Sequence, residues 1–217
     1  HSLDRRQRQM CIRDRMDDMD PRVVTVIGAG VAGTQSILKA IDNKAFVKVV
    51  DSSQAKLDDL KSKFGSNNIE YILSTKDSIQ VSINESDLVI GSVYVVGKEA
   101  PKVITREMLS SMNPGTVMVD VSIDQGGCFE SSKPTTHDSP TFLENNIVHY
   151  CVTNMPGAVP LTATEALNKV SLSYVENLAN NGIKNALNSD EHLRNGLNIL
   201  DGRIAVSYTH LTLPTIE

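Results

Sequence analysis

The chain has 217 residues, 40% of them apolar and 22% charged, with a formal net charge of −5. That length buries a real core and accommodates one ordinary domain with part of another. The mild acidity lacks the basic field that attracts nucleic acid or an anionic membrane, so neither is an expected partner.

With no Trp, four Phe and five Tyr, the core must be built from aliphatic side chains. No apolar run reaches the roughly 20 residues of a membrane span, and the N-terminus carries no apolar signal-peptide core. Cys11, Cys128 and Cys151 form no CxxC pair and leave an odd count, which fits a reducing, cytoplasmic compartment.

Residues 1–20 are rich in Arg and Asp without apolar periodicity, and are expected to be disordered or artefactual. The string RRQRQMCIRDR within them resembles translated sequencing-adapter read-through, as do the last twelve residues, VSYTHLTLPTIE at 206–217. Both ends are set aside from fold reasoning, which makes the chain an expected fragment. Residues 21–155 read as a dinucleotide-binding domain and 156–205 as a partial C-terminal segment of a second, mostly missing domain.

Six short β-branched runs alternate with polar-faced helical stretches: Val23 to Ile27, Phe46 to Val50, Ile69 to Leu73, Leu88 to Ile90, Thr116 to Val121 and Ile147 to Val152. This alternation predicts an α/β fold, a Rossmann doubly wound parallel sheet. A C-terminal helical segment is expected over Thr162 to Leu187, opened by a capping box of Thr162 and Glu165, with Leu167, Val170, Leu178 and Ile183 among its apolar positions. Such a helix should expose an apolar stripe, a cause of association or poor solubility.

The first run leads into GAGVAG, with Gly28, Gly30 and Gly33 between a strand and an apolar-faced helix. Gly28 permits the tight turn, Gly30 lets backbone approach a pyrophosphate, and Gly33 lets helix pack closely on strand. Asp51 ends the second run, where a carboxylate can accept from adenosine ribose hydroxyls. That favours NAD, since a 2′-phosphate would meet like charge, although Lys56 could soften the repulsion. A glycine turn without ligand and a methyltransferase are the competing readings.

After the fourth run, Gly91 and Ser92 make a small-residue exit, so the loop Val93 to Val103 should pass near a cofactor. Asp124 follows the fifth run, ahead of Gly126 and Gly127. Its carboxylate can lie beside a nicotinamide with little shielding and transfer a proton, or it can simply cap the turn.

The segments GAGVAGT at 28–34, DLVIGSV at 87–93, APK at 100–102, NPGTVMVDVSIDQGGCFE at 113–130, PTTHDSPTF at 134–142 and HYCVTNMPGAVP at 149–160 resemble the NAD-binding half of the alanine dehydrogenase family. The resemblance covers about residues 22–205, and IDQGG and NMPGAVP are its specific parts. It implies oxidation of L-alanine to pyruvate and ammonium with NAD, and a homo-oligomeric full-length parent. Asp124 matches the family's acid/base position. Cofactor contacts are implied at Val31 and Ala32 in the glycine turn, and at Asp51, Lys56 and Ser74 beside the adenosine. Val93, Tyr94, Val121, Ile123, Asp124, Val152, Asn154 and Met155 are implied along the cofactor.

Lys133 stands where the family usually has Arg, so a point charge replaces a planar fork. The family's other catalytic groups, a histidine with the lysine and arginine that hold the substrate, lie in an N-terminal domain outside this chain. The fragment is therefore expected to bind NAD without turnover. His137, His149 and His192 match no such position and read as surface or loop residues. Cys128 and Cys151 read as small apolar core residues, and no metal site is expected. A stand-alone NAD-binding or transhydrogenase-type domain remains the alternative.

Overall fold

A computed structural model describes residues 20–95 and 99–205. The readings made for the two chain ends, and for Val96, Gly97 and Lys98 in the loop after the fourth strand, lie outside the described residues. The chain divides into two compact units, one ending at Thr153 and the other beginning at Asn154.

In the first unit, strands and helices alternate as β1 (Val23–Ile27), α1 (Val31–Asp42), β2 (Phe46–Asp51), α2 (Gln54–Phe64), β3 (Ile69–Leu73), α3 (Lys76–Asn84), β4 (Leu88–Gly91), α4 (Arg106–Leu109) and β5 (Val117–Asp120). A hairpin of β6 (Thr141–Glu144) and β7 (Ile147–Tyr150) completes the sheet. The strand order is β3-β2-β1-β4-β5-β7-β6, parallel throughout except for β6 on β7. The direction of growth reverses between β1 and β4, so a crevice opens beyond their carboxyl ends.

Both faces of this sheet are covered, which explains why its strands are nearly continuous apolar runs rather than alternating ones. Successive residues point to opposite faces. Val24 and Val26 of β1 pack with Ile37 of α1 and Leu57 and Leu60 of α2. Ile27 faces the other way, in a cluster with Ile79 and Ile83 of α3 and Met108 and Leu109 of α4.

The seventh strand, β6, was not among the six expected. Asn145 and Asn146 connect it to β7, with φ of 52° and 62°. Positive φ at both central residues is the two-residue hairpin geometry whose twist matches the flanking strands.

The second unit holds a 3-10 turn (Met155–Ala158), α5 (Pro160–Ser189), α6 (Glu191–Asn195) and the small antiparallel pair β8 (Ile199–Leu200) and β9 (Arg203–Ile204). The expected capping box is corrected here. Pro160 is the first residue of α5, Val159 precedes it without a side-chain cap, and Thr162 lies within the first turn. Proline suits this position because its missing N–H would have no helical partner there. The helix is interrupted at Gly182, whose φ is 72°. Leu161, Leu167, Val170, Val175 and Ile183 are exposed along it, and Leu178 is half-buried. No helix among the described residues is long and apolar enough to cross a membrane.

Candidate functional site

The turn after β1 is held by contacts that leave no room for side chains. The Gly28 N–H donates to Val50 O at 2.8 Å, and a Cβ on Gly33 would fall 1.8 Å from the Gly28 carbonyl oxygen. Helix α1 and the turn therefore touch through backbone. Gly30, the N-cap of α1, differs. A Cβ there would meet nothing within 4 Å, so this position at the carboxyl edge of the sheet opens onto free space.

No side chain caps α1, and its first turn carries no acidic residue. The leading N–H groups of a helix lack intrahelical acceptors and carry the positive end of its dipole. Here they open among Val31, 86% exposed, and the exposed Ala32. Backbone amides of this kind at a sheet's switch point form a ready anion site.

Asp51 stands at the end of β2, only 8% exposed. One carboxylate oxygen accepts from Ala29 N at 2.7 Å and the other from Ser53 N at 2.8 Å. The acid thus ties the glycine turn to the start of α2 while leaving acceptor capacity on each oxygen. Ser74 reaches the same corner, its N–H donating to Asp51 O at 2.9 Å. Lys56 is exposed in the first turn of α2, its N–H bonded to Ser53 Oγ at 3.4 Å.

Across the switch point, Ser92 Oγ donates to Gly28 O at 2.9 Å, joining the end of β4 to the glycine turn. Half-buried Val93 accepts at its carbonyl from Ser122 Oγ at 2.8 Å, and Tyr94 beyond it is exposed. Val121 N donates to Gly91 O at 2.8 Å. The chain then makes a 3-10 turn over Ile123–Gln125, with Ile123 buried and Asp124 exposed.

The Asp124 carboxylate has no hydrogen-bond or ion-pair partner among the described residues. Backbone closes the turn instead: Gln125 N and Gly127 N donate to Ser122 O at 2.9 and 3.0 Å, and Gly126 N to Ile123 O at 3.0 Å. The turn-capping alternative for Asp124 finds no support in this arrangement.

The acid that does cap is Asp120, which sequence reasoning passed over. It is 0% exposed at the end of β5. Its oxygens accept from Ser122 N at 3.0 Å and Cys128 N at 2.8 Å, with Ser132 Oγ and Cys128 Sγ as further partners. A signal was present, since a lone acid interrupts the apolar run VMVDV.

Lys133 is exposed, its ammonium 3.2 Å from Glu144 and 5.3 Å from the Phe142 ring centroid. Val152 is buried and bridges to Thr135. Asn154 and Met155 belong to the second unit, where Asn154 adopts φ 54° and Met155 begins the 3-10 turn. The remaining residues, from Gly28 to Asp124, meet around the carboxyl ends of β1, β2, β4 and β5.

His149 corrects an expectation. It is fully buried on β7 rather than at the surface, with Nε2 2.8 Å from Ser131 Oγ and Nδ1 3.1 Å from Ile147 O. Its ring stacks on Phe142 at 4.8 Å. Both nitrogens are satisfied, so a polar ring is accommodated inside. Burial above all pushes its pKa down. Cys128 and Cys151 are buried free thiols, raised in pKa chiefly by burial, which disfavours the reactive thiolate. No group of three or more metal-capable side chains occurs among the described residues.

The family described as alanine dehydrogenase/PNT, C-terminal domain, matches residues 5–207. The chain belongs to this family. It is 49% identical over 184 residues to an alanine dehydrogenase of Halomonas elongata, covering 85% of this chain and 49% of that protein. The solved structure of an L-alanine dehydrogenase superposes with a TM-score of 0.81 at 41% identity, over 88% of this chain and 53% of the other. A transhydrogenase from Sinorhizobium meliloti follows at TM-score 0.63 and 28% identity, over 72% and 45%. The chain thus spans about half the length of the relatives it matches.

Proposed function

We propose that this chain binds NAD and forms the nucleotide-side wall of a site that oxidises L-alanine to pyruvate and ammonium. The observation that carries the reading is the open, uncapped start of α1 at Gly30, lying at the switch point with Asp51 on one side and the unpaired Asp124 carboxylate on the other. The N–H groups of Val31, Ala32 and Gly33 hold the pyrophosphate, and Asp51 accepts from the adenosine ribose with Ser74 and Lys56 beside it. Val93, Tyr94, Val121 and Ile123 line the path toward Asp124. Lys133, Val152, Asn154 and Met155 are proposed contacts carried by the family resemblance. When bound, NAD supplies the hydride acceptor.

Asp124 holds or moves the proton of the reacting amino or carbinol group, for which an exposed, uncommitted carboxylate is suited. The groups that clamp the substrate carboxylate come from outside these 217 residues, in keeping with the half-length coverage of the relatives. The small-molecule partners are therefore L-alanine and pyruvate, and the exposed apolar side chains of α5 support a homo-oligomeric full-length protein. Buried free thiols favour a reducing, cytoplasmic setting. The transhydrogenase-type reading is weaker, at 28% identity and TM-score 0.63 against 41% and 0.81 for the L-alanine dehydrogenase structure.

Calorimetric titration of this chain with NAD, and NADH formation from L-alanine by the full-length protein, test the proposal together. NAD binding by the chain, with turnover confined to the full-length protein and abolished by Asp124→Asn, is expected. Absence of NAD binding, or full turnover in Asp124→Asn, refutes it.

A further inference from the structure

Asp124 has no side-chain partner among the described residues, so its direction depends on the backbone that carries it. That backbone is gripped from two sides. From within the sheet, Asp120 accepts from Ser122 N and Cys128 N, one on each carboxylate oxygen, fastening both ends of the loop. From outside, the exposed Lys102 donates through Nζ to Gly126 O and to Gly127 O, the latter at 2.7 Å. The same flanking segment adds Ala100 N to Gln125 O at 2.9 Å and Val103 N to Cys128 O at 2.8 Å.

The two glycines have a role in this clasp. Gly126 and Gly127 have φ of 86° and 77°, a left-handed pair that turns both carbonyls onto one ammonium and that side-chain-bearing residues rarely adopt. A Cβ at Gly127 would also lie 2.7 Å from Asp120 Oδ2. Gly126 and Gly127 thus let the loop close between Asp120 and Lys102, beyond leaving Asp124 unshielded.

We infer that Asp120 and Lys102 are the positioning residues of the site, holding the loop of residues 122–128 so that Asp124 meets the substrate in one orientation. This rests on the reading of Asp124 as the acid/base group. Misplacing such a group by about 1 Å can cost on the order of a hundredfold in rate.

Lys102→Met tests the outer clasp, since an exposed side chain can be replaced without disturbing the core. In the full-length protein, kcat for L-alanine oxidation should fall at least about tenfold, with the melting temperature and NAD affinity held and the KM for NAD within about twofold. Lys102→Arg, which can still donate to two carbonyls, should recover most of the rate. Asp120→Asn tests the inner clasp, because its amide presents hydrogens to one of the two backbone donors; kcat should fall further. Amide hydrogen exchange over residues 122–128 should quicken in both clasp-breaking variants of the chain itself.

If Lys102→Met keeps kcat within about twofold and its exchange unchanged while Asp124→Asn abolishes turnover, the positioning inference fails and the functional reading stands. If Asp124→Asn retains turnover, the functional reading fails and takes this inference with it.

Discussion

Replacing Gly30 with Ala separates a glycine kept for a ligand from one kept for packing. Gly30 adopts φ −75° and ψ −166°, a conformation open to alanine, and the added Cβ meets nothing within 4 Å. The stiffer unfolded chain stabilises the variant by about 0.4–1 kcal/mol. Alanine is a poorer N-cap than glycine by a comparable amount, on the order of 0.5–1 kcal/mol. The two nearly cancel, so the melting temperature should stay within about 3 °C for a chain of this size.

NAD affinity should not survive so well. On the proposed placement, the methyl group projects into the space where the pyrophosphate meets the N–H groups of α1. Losing one charged hydrogen bond there costs about 1.5–3 kcal/mol, a weakening of roughly 10- to 150-fold. Gly33→Ala is the opposite case. Its Cβ would lie 1.8 Å from a backbone carbonyl oxygen, so α1 must retreat by about 1 Å. The cost should reach about 3 kcal/mol or more, with a fall of at least about 6 °C. Differential scanning calorimetry and NAD titration of both variants provide the readings. Wild-type NAD affinity in Gly30→Ala would refute the placement of the pyrophosphate.

Asp51→Ala should weaken NAD about tenfold or more and narrow its advantage over NADP, since both ribose acceptors and the like-charge penalty disappear together. It should also cost about 1–3 kcal/mol of stability through the orphaned Ala29 and Ser53 amides, and an unchanged NAD affinity would exclude Asp51 from the adenosine site. His149 should make stability depend on pH. Burial is the largest cause lowering its pKa below the ordinary 6.5, and the Lys133 and Arg106 charges add to it. The unfolded chain therefore binds the proton more readily, so stability present above pH ~6.5 is lost as pH falls below that value. Urea midpoints should decline through this window, and His149→Gln should flatten the decline; an equally steep decline in that variant would assign it to other groups.

Features written into short stretches of sequence were legible. The glycine turn, the acid ending β2 and the strand-helix alternation of a parallel sheet all follow from local pattern, because β-branched runs and helical faces each repeat within a few residues. Strand β6 escaped notice because its TFLE run is only half apolar and lies with two residues exposed, and its Asn-Asn turn lacks the glycine that usually marks a tight hairpin. His149 was misread because its burial depends on Ser131, a partner 18 positions away. The capping box failed for a local reason: Thr162 and Glu165 have the right spacing, but Pro160 starts the helix earlier. The misreading of His149 thus turned on a contact made elsewhere in the chain, whereas the other two turned on residues in or beside the element itself.

The three acids at the carboxyl edge of the sheet are separated by how much of their accepting capacity the protein itself consumes. A carboxylate has about four acceptor sites. Asp120, with Ser122 N, Cys128 N, Ser132 Oγ and Cys128 Sγ around it, uses all of them and is sealed from water. Nothing is left for a ligand, which restricts it to framing the loop. Asp51 has one N–H on each oxygen and a sliver of exposure, so it is fixed in place yet can still receive two hydroxyls. Asp124 has no protein donor among the described residues and faces outward. A group that must gain and release a proton during turnover benefits from that freedom, because each fixed donor would favour one protonation state over the other. Residue type alone makes these acids equivalent; the count of donors around each is what supports the separate roles proposed for them in structure, binding and chemistry.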